Sequence, residues 1–395
     1  MRSQIKSLLL AGTGLIVMTA PALALDGQDL LTKFNAAYGP GKGTLSAQSV
    51  EVEGNDVILR GASFKAVAPG APDLPLGDIT AVDVEEGSDG SYEIGEIAVP
   101  QFSSSQGETS ISFKDMSVSG IHVPASVNGP DLASMLYYRN AQLGETVITN
   151  AGKQVASISG GNVKIDPAAD NKSLTFSGLI DGISVNLEDV KDPKSVDAIQ
   201  SLGLQDLSGK ISFAGDWNAD SGLVNLTEET FDFANVGKLQ LKAKISGYTM
   251  DLVHQMQQLG GQMSAAKDDQ ARQASAMAMF GLMQRLNFVG AEIRFDDDGI
   301  TKRALDFAGK KQGADGEQLA ATIKMMAPIL LASYKLDDIA DSVSAALNTY
   351  LDNPKNFTIR ANPPQPVPFP NLMATGMNEP QALTKLLSVT VEAND

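Results

Sequence analysis

The chain has 395 residues, of which 47 are acidic and 30 are basic, so its formal net charge is −17. The absence of cysteine excludes disulfide scaffolds, zinc ribbons, iron–sulfur proteins and cysteine enzymes. An acidic chain is a poor match for a phosphate backbone, so we expect no nucleic-acid partner. The apolar fraction of 43% is that of a globular protein.

The first 24 residues have the layout of a secretory signal peptide. Arg2 and Lys6 form a positively charged start, an apolar stretch runs from Leu8 to Met18, and Ala22-Leu23-Ala24 supplies small residues for cleavage. The apolar stretch is shorter than the ~20 residues that a bilayer requires. We therefore expect cleavage after Ala24, no stable membrane span in the mature protein, and a periplasmic or secreted location.

The segment from Asp26 to Tyr38 is predicted to be an amphipathic helix that Asp26 or Asp29 caps. Its apolar face consists of Leu30, Leu31 and Phe34. Gly39-Pro40-Gly41 ends it, and the hydrophobic period then changes from 3.6 to 2. This alternation predicts at least five antiparallel strands between Leu45 and Val123, joined by glycine-containing turns.

The middle of the chain predicts strands interrupted by two helices, one from Asp131 to Gln142 and a short one from Pro193 to Leu202. Two strand blocks in this region look alike. Ser159-Gly160 in the first corresponds to Ser208-Gly209 in the second, an offset of about 50 residues, which lies in the range of repeat architectures.

The C-terminal part is richer in helices. Two helical stretches follow Met250, the strand FVGAEIRF comes next, and three helices are predicted over Thr301–Lys311, Asp315–Ser333 and Leu336–Tyr350. The tail predicts a strand at NFTIRA, a stiff proline-rich loop, a helix near Glu379–Leu386 and a last strand at SVTVEA.

Because the strands come as hairpins, the pattern favours an α+β fold over a doubly wound parallel sheet. We predict an elongated, curved antiparallel sheet built from successive hairpins, with interspersed helices and a helix-rich C-terminal third. Apart from the signal peptide at 1–24, the segments are 25–145 (helix and hairpins), 146–298 (repeated meander with a methionine-rich helix) and 299–395 (helices with closing strands). They are expected to form one continuous body.

The methionine-rich helix is the candidate ligand-binding element. Its apolar side chains recur at spacings of four, three and four residues, which keeps them in one stripe of a helix: Leu252, Met256, Leu259 and Met263. Methionine adapts to irregular apolar partners, including lipids and proteins. The stripe predicts either packing against the apolar side of the sheet, which periodicity favours, or the lining of a ligand groove.

A weak metal candidate is the loop containing Asp216, Asn218 and Asp220, whose oxygen ligands at alternate positions resemble the start of a calcium loop. Ser221 stands where a calcium loop of the EF-hand type needs glycine, so a simple hairpin turn is the favoured interpretation. The two histidines, His122 and His254, have no second histidine at ligand spacing. The sequence predicts no metal site, no cofactor and no catalytic residue.

The C-terminal half carries longer stretches with a familiar order: SGKISFAGDWNADSGLVNL, KLQLKAKISG, DDDGITKRALDFA, LDNPKNFTIRANPPQPVPFPNLM and LSVTVEAND. From Leu207 onward the chain resembles uncharacterised secreted envelope proteins of alphaproteobacteria, which are loosely similar to the AsmA-like repeating-β group. The resemblance implies the envelope of a Gram-negative bacterium and carries over no catalytic residue. The large AsmA-like proteins have long grooves and membrane anchors, whereas no anchor is expected to remain here.

These observations favour a non-enzymatic periplasmic protein whose sheet binds an apolar, lipid-like ligand or supports envelope assembly. One alternative is a structural or assembly factor that binds a protein partner through a sheet edge. Another is an enzyme whose acidic residues are scattered along the sequence.

Overall fold

The computed structural model describes residues 25–39, 43–66, 73–266 and 268–395. The predicted signal peptide lies outside these ranges. The fold is mixed α+β, and its described strands form one long antiparallel sheet of 18 strands, as the hairpin pattern predicts.

The first half of the chain consists mostly of strands that are joined as hairpins. In chain order they are α1 (Gly27–Tyr38), β1 (Thr44–Ser46), β2 (Ser49–Glu53), β3 (Asp56–Lys65), β4 (Leu74–Glu86), β5 (Tyr92–Gln106), β6 (Thr109–Val123), β7 (Asn140–Leu143), β8 (Thr146–Asn150), β9 (Lys153–Ile158), β10 (Gly160–Pro167) and β11 (Ser173–Asn186).

Helices occupy more of the second half. Its elements are α2 (Pro193–Leu202), β12 (Asp206–Asn218), β13 (Leu223–Phe233), β14 (Gly237–Ser246), α3 (Met250–Ala265), α4 (Asp269–Met283), β15 (Asn287–Asp297), α5 (Ile300–Lys311), α6 (Gly316–Ser333), α7 (Ala340–Asp352), β16 (Asn356–Ala361), β17 (Val367–Pro368), α8 (Phe369–Asn378), α9 (Ala382–Leu386) and β18 (Val389–Ala393).

The sheet is a meander in which most spatial neighbours are also neighbours in the chain. Strands β2 to β6 pair in succession, and β1 pairs with β3. Strand β6 pairs with β7 along one part and β8 along another, and these lead through β10 and β9 to β11. Strands β11 to β15 again pair in succession; β15 pairs with β16 and β17, and β16 with β18.

The helix predicted from Asp131 to Gln142 is wrong. Only a single 3-10 turn forms there, at Leu132–Ser134, and β7 begins at Asn140. Tyr137, which lies between this turn and β7, exchanges two backbone hydrogen bonds, of 2.9 and 3.3 Å, with His122 at the end of β6. The end of β6 offers unpaired backbone groups, and the chain satisfies them by lying extended beside it rather than by closing helical turns.

Other predicted helices are confirmed with small shifts at their ends. Asp26 caps α1 by accepting from two backbone amides, and α2 has the predicted bounds, with Asp192 at its start and Gly203 in the left-handed conformation after its end. The proline-rich segment predicted as a loop contains the start of α8, because proline is tolerated in the first turn of a helix.

Helix α1 packs across the first strands and forms the largest buried cluster in the described chain. Leu30, Leu31, Val57 and Tyr92 are among its buried members. The phenol of Tyr92 donates to Asp29 Oδ2 at 2.8 Å, and Lys33 Nζ donates to the Gly90 carbonyl at 2.8 Å. Burial and the Asp29 carboxylate raise the pKa of Tyr92. These two hydrogen bonds, which we call the polar latch, fix the position of α1 on the sheet.

We expect Asp29→Asn to lower the free energy of unfolding by about 1 kcal/mol at neutral pH, because the buried Tyr92 phenol loses a charged acceptor. Hydrogen bonds from Lys33 and Tyr92 hold the pKa of Asp29 below its usual range. Its stabilisation is thus present above the unfolded pKa of about 3.9 and is lost as the pH falls through the lower folded value.

Denaturant unfolding of both proteins from pH 7 down to pH ~2 tests this expectation, since the range spans the usual aspartate pKa. Glu85→Gln, at an exposed position of β4, is the control. A stability difference that stays constant over the whole range would contradict the latch.

Candidate functional site

A row of directly opposed residues crosses the sheet from β2 to β18. Residues that face each other on neighbouring antiparallel strands point to the same side of the sheet, so the row lies on one face. We call it the apolar row, because every member except Gly178 and Glu229 is apolar: Val52, Val57, Ala81, Ile97, Val118, Ala141, Val163, Gly178, Phe213, Glu229, Leu241, Ile293, Ile359 and Val391.

The row is covered near its two ends and accessible between them. Its first member, Val52, is 41% exposed, but the next two, Val57 and Ala81, are buried beneath α1. Val391, on the strand against which α7 packs, is buried as well. Members from Ile97 to Leu241 are mostly half-buried. Ile293 and Ile359, which face each other on β15 and β16, are 47% and 39% exposed. The sheet therefore presents an apolar path, interrupted by Glu229 on β13, that its own helices do not fully cover.

The opposite face of the same strands carries charged side chains. Lys210 on β12 and Lys238 on β14 are each next in sequence to a residue on the face of the row, so they point to the opposite face. They pair with Asp232 and Asp296 on the neighbouring strands. Such alternation is typical of an antiparallel sheet with one solvated side. The two faces thus differ sharply in polarity.

The solvated face is cross-linked most strongly over the last strands. Arg360 donates to Glu292 at 2.7 Å and also to Glu392, and it pairs with Asp395 at 3.2 Å. Lys242 donates to the other oxygen of Glu292, and this bond, followed by that from Arg360, lowers the pKa of Glu292. This network holds β14, β15, β16 and β18 together where the row is most exposed.

The predicted stripe on α3 is graded rather than uniform. Leu252 is fully buried, Met256 and Leu259 are half-buried, and Met263 is 41% exposed. The start of α3 is held by the turn after β12: Trp217 Nε1 donates to the Tyr248 carbonyl at 2.7 Å, and the Met250 amide donates to Ala219. The first residue of the stripe is thus core, and a ligand contact at the others stays a prediction.

Substitutions along α3 should show this gradient. We expect Leu252→Asp to cost roughly 4 kcal/mol or more, because it buries an unpaired charge and removes a packed side chain. Met263→Asp, on the same helix, should cost about 1 kcal/mol or less. Thermal and denaturant unfolding measure both, and comparable losses for the two variants would show that the stripe is buried along its whole length.

The calcium-loop candidates have other partners. Asp216 accepts from the Asn225 amide at 3.0 Å, Asn218 Oδ1 accepts from the amide and hydroxyl of Ser221, and Asp220 pairs with Lys172 at 2.9 Å. The three side chains thus serve a hairpin turn and its neighbours. Gly222 closes this turn with φ +69°, and a Cβ there would meet the Tyr248 amide nitrogen at 2.6 Å.

We expect millimolar calcium to leave the melting temperature unchanged, because capture of the ion would require these hydrogen bonds to break. Differential scanning calorimetry with calcium and with a chelator measures this, and Asp220→Asn serves as a matched variant. A chelator-sensitive rise of several degrees, abolished in the variant, would establish a calcium site, since a ligand that binds only the native state stabilises it.

A serine and a histidine approach each other beside α3 without forming a nucleophile and base pair. Ser134 Oγ lies 3.5 Å from His254 Nε2, but that nitrogen lies 2.8 Å from the Gly129 carbonyl and must carry a proton toward it. The buried hydroxyl of Ser134 donates to backbone carbonyls. A nitrogen that already holds a proton cannot accept one from serine, so the arrangement is structural.

The second histidine is also part of the packing. His122 is buried, stacks on Tyr137 with ring centroids 4.9 Å apart, and has its two nitrogens 2.6 Å from Glu93 and 3.0 Å from the Ala133 carbonyl. Within the described ranges, no three acidic or histidine side chains converge as a metal site would require.

Comparison with known protein families gives a match over the C-terminal part of the chain. A family model described as "Uncharacterized protein" covers residues 230–394, which is less than half of the chain and extends from β13 through β18. This region contains the most exposed member of the apolar row, Ile293, and Ile359 directly opposite it. No curated protein matches the chain. Among the described helices, none has the length and hydrophobicity needed to cross a bilayer.

The apolar row was not singled out from the sequence, although its strands were, except for β7, which the sequence predicted as part of a helix. Each strand shows which of its residues alternate, but only the register of neighbouring strands shows that one residue from each lies in a single line. In β14, for example, Leu239, Leu241 and Ala243 alternate with lysine and glutamine, and this pattern indicates which face of the strand is apolar.

Proposed function

We propose that this protein binds a lipid-like molecule along the apolar row, in the periplasm or outside the cell. The observation that carries the proposal is the row itself: a line of mostly apolar side chains, covered near both ends and half-buried to exposed between them. Contiguous apolar surface of this kind is uncommon on a monomer and marks interaction sites. Covering it gains ~25 cal/mol for each Å² of apolar area removed from water.

The direction of the row favours a hydrocarbon chain as the occupant. It runs across the strands, and neighbouring strands lie ~4.8 Å apart, so the eight steps from Val52 on β2 to Phe213 on β12, before Glu229, span roughly 40 Å along the curved sheet. A flexible alkyl chain can follow such a path. The charged opposite face and the net charge of −17 keep the remaining surface soluble.

A protein partner bound through a sheet edge would use different atoms. The edge strand β2 bears Glu51 and Glu53, which protect an open edge against pairing with another chain. Edge binding would also leave the middle of the row uncovered. The face of the sheet, rather than its edge, is therefore the surface that we propose binds the ligand.

We expect Ala141→Asp to reduce uptake of a fluorescent fatty acid by the purified mature protein at least tenfold, because it places a carboxylate in the path of the chain. Ala141 is half-buried and the change removes only a methyl group, so the fold should persist with a loss of about 1–2 kcal/mol. Met277→Asp is the matched control, since Met277 is 71% exposed on α4 and lies outside the row.

Fluorescence titration and mass spectrometry of organic extracts measure uptake in the three proteins. Equal uptake by all of them would remove the row from the binding site. If the wild-type protein neither takes up the fatty acid nor co-purifies with lipid, and instead retains one stoichiometric protein partner, the assembly function replaces the proposed one.

A further inference from the structure

The row ends beneath α1 in a cavity of about 280 Å³ that the α3 stripe does not touch. It lies between α1 and strands β1, β3, β4 and β5. Buried side chains close its deep end, among them Leu31, Val57 and Ile94, while half-buried ones surround its outer end: Tyr38, Leu45 and Phe64.

The cavity is large for a packing defect. Voids in protein interiors rarely exceed the size of a water molecule, and an apolar cavity of ~150 Å³ already holds benzene. Its lining is almost wholly apolar: aliphatic and aromatic side chains, one glycine, and the ring of Tyr38. Water gains few hydrogen-bond partners in such a space, whereas hydrocarbon fits it.

The helix that forms the roof is held by groups outside the cavity. Asp29 and Lys33 anchor it to Tyr92 and Gly90, as described above, and Asn35 forms two 2.8 Å hydrogen bonds with the backbone of Leu45. Because these contacts position α1 by themselves, the cavity is preformed and does not collapse onto the sheet. A preformed apolar pocket is the usual form of a small-molecule site.

We propose that this cavity binds the methyl end of a single hydrocarbon chain, whose polar group stays outside. The inference rests on the proposed function and names the part of the ligand that enters first. Among the described residues that line the cavity, none has a charged side chain to receive a head group. Ala81 lines it, and the directly opposed Ile97 and Val118 lead from it onto the open part of the row, so a longer chain extends there.

A cavity-filling variant tests the proposal. Ala81→Leu places a larger side chain in the cavity and should keep or raise the melting temperature, since it fills empty space. It should weaken binding of the fluorescent fatty acid cis-parinaric acid tenfold or more, because it displaces about three methylene-sized groups, each worth about three- to fourfold. Ala98→Leu, the same change at an exposed position on the opposite face of β5, should bind like the wild type. Ala141→Leu, on the row outside the cavity, should lose less binding than Ala81→Leu.

Unchanged binding by Ala81→Leu, with the wild-type protein binding normally, overturns the inference and leaves the proposed function standing. No binding by the wild-type protein overturns the proposed function itself, and the inference with it. A larger loss in Ala141→Leu than in Ala81→Leu would place the chain on the open row instead of in the cavity.

A second measurement does not depend on the stability of Ala81→Leu. Trp217 is the only tryptophan and lies at the start of α3, so Phe64→Trp adds one reporter at the mouth of the cavity. A fatty acid brominated at its terminal carbon should quench Phe64→Trp more strongly than the parent protein. Equal quenching in the two proteins overturns the proposal.

Discussion

Continuous antiparallel pairing is the constraint on which the rest of this structure depends. Each interior strand must pair its backbone donors and acceptors on both sides, and the chain does so mostly by adding each new strand to the one before it. Between β6 and β7 the sequence predicts a helix, but the chain is extended there. Tyr137 pairs with the backbone of His122, which would otherwise lack a partner on that side. The result is a single sheet long enough that helices pack mainly at its ends.

A single sheet has two faces, and their chemistry follows from the pleat. Alternating residues direct apolar side chains to one side and charged ones to the other, with cross-strand ion pairs such as those of Glu292 and Arg360 on the solvated side. In a two-layer domain a second layer would bury the apolar face. Here α1 covers the row near one end and α7 packs near the other, and the intervening stretch is half-buried to exposed.

The two proposed elements of binding have different physical origins. The open row depends on register, because a slip of one residue would turn its side chains to the charged face. The cavity depends on the distance at which the Asp29–Tyr92 and Asn35–Leu45 contacts hold α1 above the strands. A preformed pocket with an open apolar path leading from it would let a chain enter without a large rearrangement.

The sequence by itself determined the fold class, the α1 and α2 helices, the aspartate cap of α1, and the hairpin character of the strands, because these follow from local periodicity and turn chemistry. It also marked the stripe from Leu252 to Met263, though not its gradient of burial. Only the tertiary structure decided the position of Tyr137, the partners of Asp216 and Asp220, the apolar row and the cavity beneath α1. Each of these depends on which distant segments lie side by side, and hydrogen-bond register and helix docking set those contacts across separations that local patterns do not encode.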